Sequence, residues 1–417
     1  MKPAFRAFRY RPFRVFYLGQ GLSLVGTWMQ TVATSWLVYR LSGSALLLGL
    51  TATMQQLPML FLSPIAGVWA ERLNRRVILI LLQSIALVLA LVLAVLTFSG
   101  VVTVMQVIVL ALALGAVNAF EAPTRQAFLL DLVQTRQDLP NAIALQSMMF
   151  QAARFIGPSI AGILLAAAGE GWCFLINALS YLAVLIAYVS LHVGAIAKPA
   201  DSGGVWRQLK SGIAYAFGFV GTRRILLLLG FVSFFSMPWS TLMPIFAATA
   251  FAGDSRTLGY LISAVGLGAM TGTAFLATRI SVRGLGRIVA CCAVLAGLAL
   301  AAFSQVQVLW QGLALLAVFG FGLIVAVASS NTILQTVADE DKRARVISMY
   351  VMVFLGIGPT GSLAAGALAE RVGAPATLLA CGAVLMVTGI VFAAGLKTWS
   401  QAVRPIYVRL GIIEEKH

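Results

Sequence analysis

Apolar stretches of about 20 residues follow one another along the whole chain, separated by short polar gaps. A helix needs about 20 mainly apolar residues to cross the hydrocarbon core of a bilayer. Read against that length, the spans fall at 14–38, 45–70, 77–98, 103–124, 143–168 and 171–192, then at 225–250, 257–279, 287–305, 308–335, 346–368 and 374–396. The pattern predicts an all-α membrane protein with 12 transmembrane helices. Hydrophobic residues make up 60% of the 417 positions and charged residues only 10%. That excess of apolar surface requires lipid as solvent.

The rhythm breaks once, at 194–222. Lys198-Pro199 and Asp201-Ser202-Gly203-Gly204 read as a flexible linker. Beyond them Trp206, Leu209, Ile213, Phe217 and Val220 recur at helical spacing, with Arg207, Gln208, Lys210 and Ser211 opposite. This predicts an amphipathic helix on the membrane surface. The expected organisation is an N-terminal six-helix bundle (1–193), a cytoplasmic linker (194–222), a C-terminal six-helix bundle (223–399) and a cytoplasmic tail (400–417). The halves echo each other: Gly157-Pro158 in the fifth span answers Gly358-Pro359 in the eleventh. Two six-span repeats around a central linker form an architecture that many secondary transporters share.

Net charge is +16, a value that raises nucleic-acid binding as a possibility. The placement excludes it, because basic residues occupy every second gap. They fall at Lys2–Arg14, Arg72–Arg76, Arg125 and Arg136, Lys198–Arg224, Arg279–Arg287, Lys342–Arg345 and Lys397–Lys416. The intervening gaps hold only Arg40, Arg256 and Arg371, and Arg154 lies inside a span. Basic residues beside a span tend to stay in the cytoplasm, so both termini are expected inside. The Arg-rich opening runs into a span too long for a signal peptide, and the first span is expected to stay in the membrane. Cys173, Cys291, Cys292 and Cys381 lack metal-ligand spacing and read as small core residues. With His192 at a span end, His417 at the terminus and no phosphate-binding loop, neither an enzyme nor a direct ATPase is expected, and no cofactor or metal is implied.

Between spans 2 and 3 stands Gly67-Val-Trp-Ala-Glu71-Arg72-Leu-Asn74-Arg75-Arg76. It resembles the loop 2–3 signature of the major facilitator superfamily, with Glu71 in place of the usual Asp and Asn74 in place of the usual Gly. Asn tolerates the left-handed backbone that Gly supplies in a tight turn, so the second change is mild. The resemblance implies the major facilitator fold, two pseudo-symmetric six-helix bundles, and a gating role for Gly67, Glu71, Arg72, Arg75 and Arg76. The implied partner of that cluster is the start of span 11, near Arg345–Met349. Gly157, Pro158 and Gly162 resemble the Gly-Pro signature of the superfamily's exporters, and small residues let helices pack closely.

Phe120-Glu121-Ala-Pro123-Thr-Arg125 through Asp131 looks like the span 4 ending of one branch of the superfamily. That branch includes enterobactin exporters, macrolide exporters and proteins called transmembrane secretion effectors. Gly26-Thr-Trp28-Met-Gln30 and Leu139-Pro-Asn141 fit it as well. The resemblance implies export from a bacterial plasma (inner) membrane.

Ionisable groups inside spans are costly and read as functional. Glu121 and Arg154 are such groups, and Arg125 stands four residues from Glu121, within pairing reach. These three are the coupling candidates. Glu121 can serve as a proton or substrate carboxylate, or as a structural partner of Arg125, Arg72 or Arg154. A polar stripe on span 1, Ser23, Thr27, Gln30 and Thr34, must face protein or water. In the fold that the resemblance implies, spans 1, 4, 7 and 10 line the cavity. The substrate candidates there are Thr27, Gln30, Thr34, Asn118, Ser236, Trp239, Ser240, Asn331 and Gln335; helix–helix hydrogen bonding is the alternative role for such groups. Neutral polar groups beside Trp and Met suit a large amphiphilic ligand. The expected function is a secondary active exporter of a hydrophobic or amphiphilic molecule, drug- or siderophore-like, working as a proton antiporter. Its partners would be that substrate, protons and membrane lipids, with no nucleic acid, and it would act as a monomer. A lipid or lysolipid flippase or an uncoupled facilitator is the alternative, and a non-transporting membrane receptor a third reading.

Overall fold

The computed structural model describes residues 3–133, 135, 138–191, 218–279, 281–339, 342–410 and 412–413. Among these residues there is no strand. After a short 3-10 turn, Pro3–Arg9, come α1 (Arg11–Ser42), α2 (Ala45–Arg72), α3 (Arg75–Phe98), α4 (Val104–Leu132), α5 (Leu139–Ala168) and α6 (Glu170–Ser190). Then follow α7 (Val220–Ser236), α8 (Pro238–Ile245), a π-helical turn over Phe246–Ala250, α9 (Ser255–Ala277), α10 (Leu285–Phe303), α11 (Leu309–Val337), α12 (Arg343–Val372), α13 (Ala374–Ala394) and α14 (Leu396–Arg409). The surface helix expected within 194–222 falls largely on residues 192–217, outside the described residues.

Eleven segments among the described residues are long and apolar enough to cross a membrane, with Val220–Ala250 counted as one. The twelfth is α1. At 32 residues it is ample in length, but its polar stripe dilutes its apolar character. The span read at 225–250 is broken: α7 ends at Ser236 and Pro238 opens α8, where its missing N–H costs nothing.

Helix boundaries follow local chemistry. Gly43, in the left-handed region at φ 62°, ends α1. The Ser44 hydroxyl accepts from Leu47 N to open α2. Thr103 and Gln106 form a reciprocal capping box at α4. Asn74 does not use its tolerance of a left-handed backbone. Its φ is −65°, and its side chain accepts from the Arg76 and Val77 amides, so it caps α3 rather than making a left-handed turn.

Two compact units result, one of Met1–Asp201 with Ala247–Ser263 and one of Ser202–Phe246 with Ala264–His417. In the first, α1 packs on α5 and α6, α2 on α4, and α3 on α4 and α6. In the second, α7 packs on α12 and α13, and α10 on α11 and α13. The first unit also packs α5 on the start of α9: Ser159 and Ser263 share a hydroxyl hydrogen bond at 2.7 Å, and a Cβ on Gly259 would meet the Pro158 carbonyl at 2.7 Å. One end of its core is aromatic, with Phe16, Phe128 and Tyr188 in contact at centroid distances of 5.7–6.4 Å. In the second unit, α14 is held by Trp399, whose indole donates to the Gly221 carbonyl at 3.0 Å. The thiols of Cys173, Cys292 and Cys381 are buried, but Cys291 is exposed on α10 and is not a core residue.

Candidate functional site

The loop between α2 and α3 places two of its arginines clearly. Arg75 grips the Asp131 carboxylate with Nη1 at 2.8 and 2.9 Å, tying the start of α3 to the end of α4. Arg76 donates to the Tyr188 and Val189 carbonyls at 2.7 and 2.6 Å, satisfying acceptors left open at the end of α6. The side chains of Glu71 and Arg72, and the surroundings of Gly67, lie outside the described set.

A second polar knot joins the N-terminal turn to the start of α5. Tyr10 donates to Asp138 at 2.8 Å, Arg9 pairs with the same carboxylate at 2.5 Å, and Thr135 donates to it at 3.0 Å. The Tyr10 hydrogen bond, then those of Thr135 and the nearby Arg9 charge, hold the Asp138 carboxyl below its ordinary value of 3.8. The Asn141 side chain accepts from the Ala7 amide at 2.9 Å. Sequence reading noticed Asn141 only as part of a motif and missed the cluster, because its members lie about 130 residues apart. At the other end of the unit, Arg40 donates to Glu170 at 2.7 Å.

Within α4, Arg125 Nε donates to Glu121 Oε1 at 2.8 Å, with both side chains largely buried. The pair runs across Pro123, which lies inside the helix. Arg154 on α5 joins no carboxylate among the described residues; its guanidinium carbon lies 5.6 Å from the centre of the Trp28 ring. Gly157 lets α5 approach α1 at the same level: a Cβ there would meet Trp28 Cβ at 2.6 Å and the Val25 carbonyl at 2.9 Å. Pro158 is buried beside it, and Gly162 abuts Gly259.

The α1 stripe divides. Gln30 is buried and accepts from Asn177 of α6 at 2.5 Å, while Ser23 is also buried. Thr27 donates to the Ser23 carbonyl, and Thr27 and Thr34 are half-buried. Asn118 is half-buried on α4. In the second unit Ser236 is buried, and Trp239 is buried edge-on against Phe319 of α11 at 6.0 Å. Ser240 donates to the Met237 carbonyl, and Gln335 donates to Asn331 at 3.1 Å. The candidates thus form two sets. Thr27, Gln30, Thr34, Asn118, Glu121, Arg125 and Arg154 share the first unit, and Ser236, Trp239, Ser240, Asn331 and Gln335 share the second.

The family model described as transmembrane secretion effector matches residues 2–405. The chain belongs to this family, within the major facilitator superfamily. It is similar to a staphyloferrin A transporter of Staphylococcus aureus, at 26% identity over 383 residues, covering 91% of this chain and 95% of that protein. It is also similar to the multidrug efflux pump Tap of Mycolicibacterium fortuitum, at 25% identity over 376 residues, covering 88% and 91%. Among solved structures, the bacterial homolog of the human lysosomal transporter Spinster, inward-facing and occupied, shares the fold with a TM-score of 0.74 at 14% identity, over 96% of this chain and 99% of that one. The nucleoside transporter NupG does so with a TM-score of 0.70 at 14% identity, over 93% and 99%. This secretion effector is therefore an integral multi-pass membrane transporter, and not an enzyme.

Proposed function

We propose that the protein exports a hydrophobic or amphiphilic small molecule, drug- or siderophore-like, across a bacterial inner membrane by alternating access, with proton antiport as the driving force. Both termini lie in the cytoplasm, and the protein works as a monomer among membrane lipids. The family, and the efflux and siderophore names of its relatives, support the direction and the substrate class. The observation that carries coupling is the Glu121–Arg125 pair, an ionisable pair held inside a membrane span at 2.8 Å. Thr27, Gln30, Thr34 and Asn118 in the first unit and Ser236, Trp239, Ser240, Asn331 and Gln335 in the second are the substrate candidates, and Gly67, Glu71, Arg72, Arg75 and Arg76 act as the gate.

Uptake of hydrophobic dyes and a catecholate siderophore into inside-out vesicles tests the reading, with and without an imposed pH gradient. Gradient-dependent uptake that Glu121→Gln abolishes supports antiport through Glu121. Flux that persists without a gradient and in the variant favours a lipid flippase or uncoupled facilitator. That second reading draws on the same pair: Glu121 already has its counter-charge four residues away, as a structural partner would.

A further inference from the structure

Arg154 stands apart from the other half-buried arginines described in the first unit, each of which has an oxygen acceptor: Arg76 has the Tyr188 and Val189 carbonyls. Arg75 has Asp131, Arg125 has Glu121, and Asp138 has Arg9. Arg154 has a ring face and no carboxylate among the described residues. A cation at the middle of a span is costly, and an aromatic face repays only part of its lost hydration.

The helix geometry says which way this cation faces. At 100° per residue, Ser147, Gln151 and Arg154 share one side of α5. At the level of Arg154 and beyond it, the exposed apolar Ile156 and Ile163 lie on the opposite side; exposed Ile143, nearer the start of α5, lies on the same side. Ser147 is exposed within the span, as a residue facing water rather than lipid would be. Phe150, one turn before Arg154, meets edge-on the same Trp28 whose ring lies by the guanidinium, at 5.9 Å, and is itself 40% exposed. A planar five-donor cation next to such an aromatic pair matches an oxyanion carried on an apolar body.

We propose that Arg154 is the counter-charge for the cargo, so that the exported molecule is an amphiphilic organic anion whose carboxylate, or similar oxyanion, binds this guanidinium while Trp28 and Phe150 hold its apolar part. The inference rests on the export reading and narrows its substrate class. It also changes the energetics: a membrane potential negative inside itself drives an anion outward, so export of such a cargo draws on the potential even where Glu121 moves no proton.

The test uses two probes with one dansyl-labelled alkyl tail, ending in a sulfonate or a trimethylammonium, so that neither changes charge with pH. Binding to the full-length protein in nanodiscs is read by fluorescence anisotropy. The sulfonate is expected to bind at least tenfold more tightly than the ammonium. Arg154→Gln should erase that preference by weakening the sulfonate alone, and Arg154→Lys should keep part of it. Unchanged ammonium binding shows that a variant is folded; if Arg154→Gln fails to fold, Arg154→Lys carries the test, with a loss of at least threefold for the sulfonate only. No preference in the wild type, or a preference that survives Arg154→Gln, overturns the proposal. The same probes in inside-out vesicles separate it from the export reading. Anion-selective binding without uptake would sink export and leave the site standing, whereas uptake of the ammonium with no sulfonate preference would sink the site and leave export.

Discussion

The two units share a packing scheme and differ in where they spend polar groups. In the first, α1 is clasped by α5 and α6; in the second, α7 is clasped by α12 and α13. The Gly-Pro strings serve both clasps in the same way. Gly157 sits against Val25 and Trp28 of α1, and Gly358 sits against Ser233 of α7 and Met237, which caps it. Yet four of the five ion pairs found among the described residues belong to the first unit, and the only one in the second, Arg409–Asp339, is largely exposed. Small residues let the helices of each unit pack closely. Glu121, Arg125 and Arg154 are first-unit charges that lie along its helices α4 and α5, where charge is costly, and this makes them the candidates for working parts.

The sharpest way to break this comparison is at the equivalent loops. Arg75 and Asp131 are both mostly buried, so Arg75→Ala leaves a carboxylate uncompensated and should cost about 3 kcal/mol. Arg283, in the matching loop of the second unit, is exposed and makes no ion pair among the described residues. Arg283→Ala should change stability by no more than about 0.5 kcal/mol. Thermal unfolding of the detergent-solubilised protein reads both, and equal losses would mean that the units do not differ in this way.

The shared skeleton makes a smaller and symmetric prediction. Gly157→Val and Gly358→Val each force side-chain atoms into a contact already under 3 Å, and each should cost about 1–3 kcal/mol. A large effect in one unit with none in the other would deny that the two motifs do the same job.

The smallest effect concerns the knot at Asp138. Its carboxyl is held below 3.8, chiefly by Tyr10, so the stability it contributes is present above that ordinary value. It is lost as pH falls through the lower value of the folded state. Hydrogen exchange of the N-terminal turn should thus stay slow at pH 5 and accelerate only below 3.8. Tyr10→Phe removes the largest cause and should move that acceleration upward toward 3.8. No movement would assign the hold to Arg9 instead.

Much of this was legible in the chain because lipid imposes a one-dimensional rule. A span must be about 20 apolar residues, and its flanks must carry the charge. The span count follows from that alone, and motif spacing carried the family. Periodicity also marked Glu121 and Arg154 as anomalies, since charge inside an apolar run is visible without a structure. The polar stripe on α1 was visible too, but not its division: Gln30 is bound to Asn177, 147 residues away, while Thr27 and Thr34 remain half-open. Asn74 was seen as a stand-in for glycine and is a helix cap, since the same residue type serves either geometry and only φ distinguishes them.

The sequence by itself determined the solvent, the number of crossings, the family and the odd charges, because each is a property of residues close together in the chain. Tertiary structure alone decided the pairings: Arg75 with Asp131, Tyr10 and Arg9 with Asp138, and Arg154 with a ring instead of an acid. The physical reason is range. A span is recognised over about 20 residues, whereas an ion pair is fixed by a few ångströms between helices that the chain brings together from more than 50 residues apart.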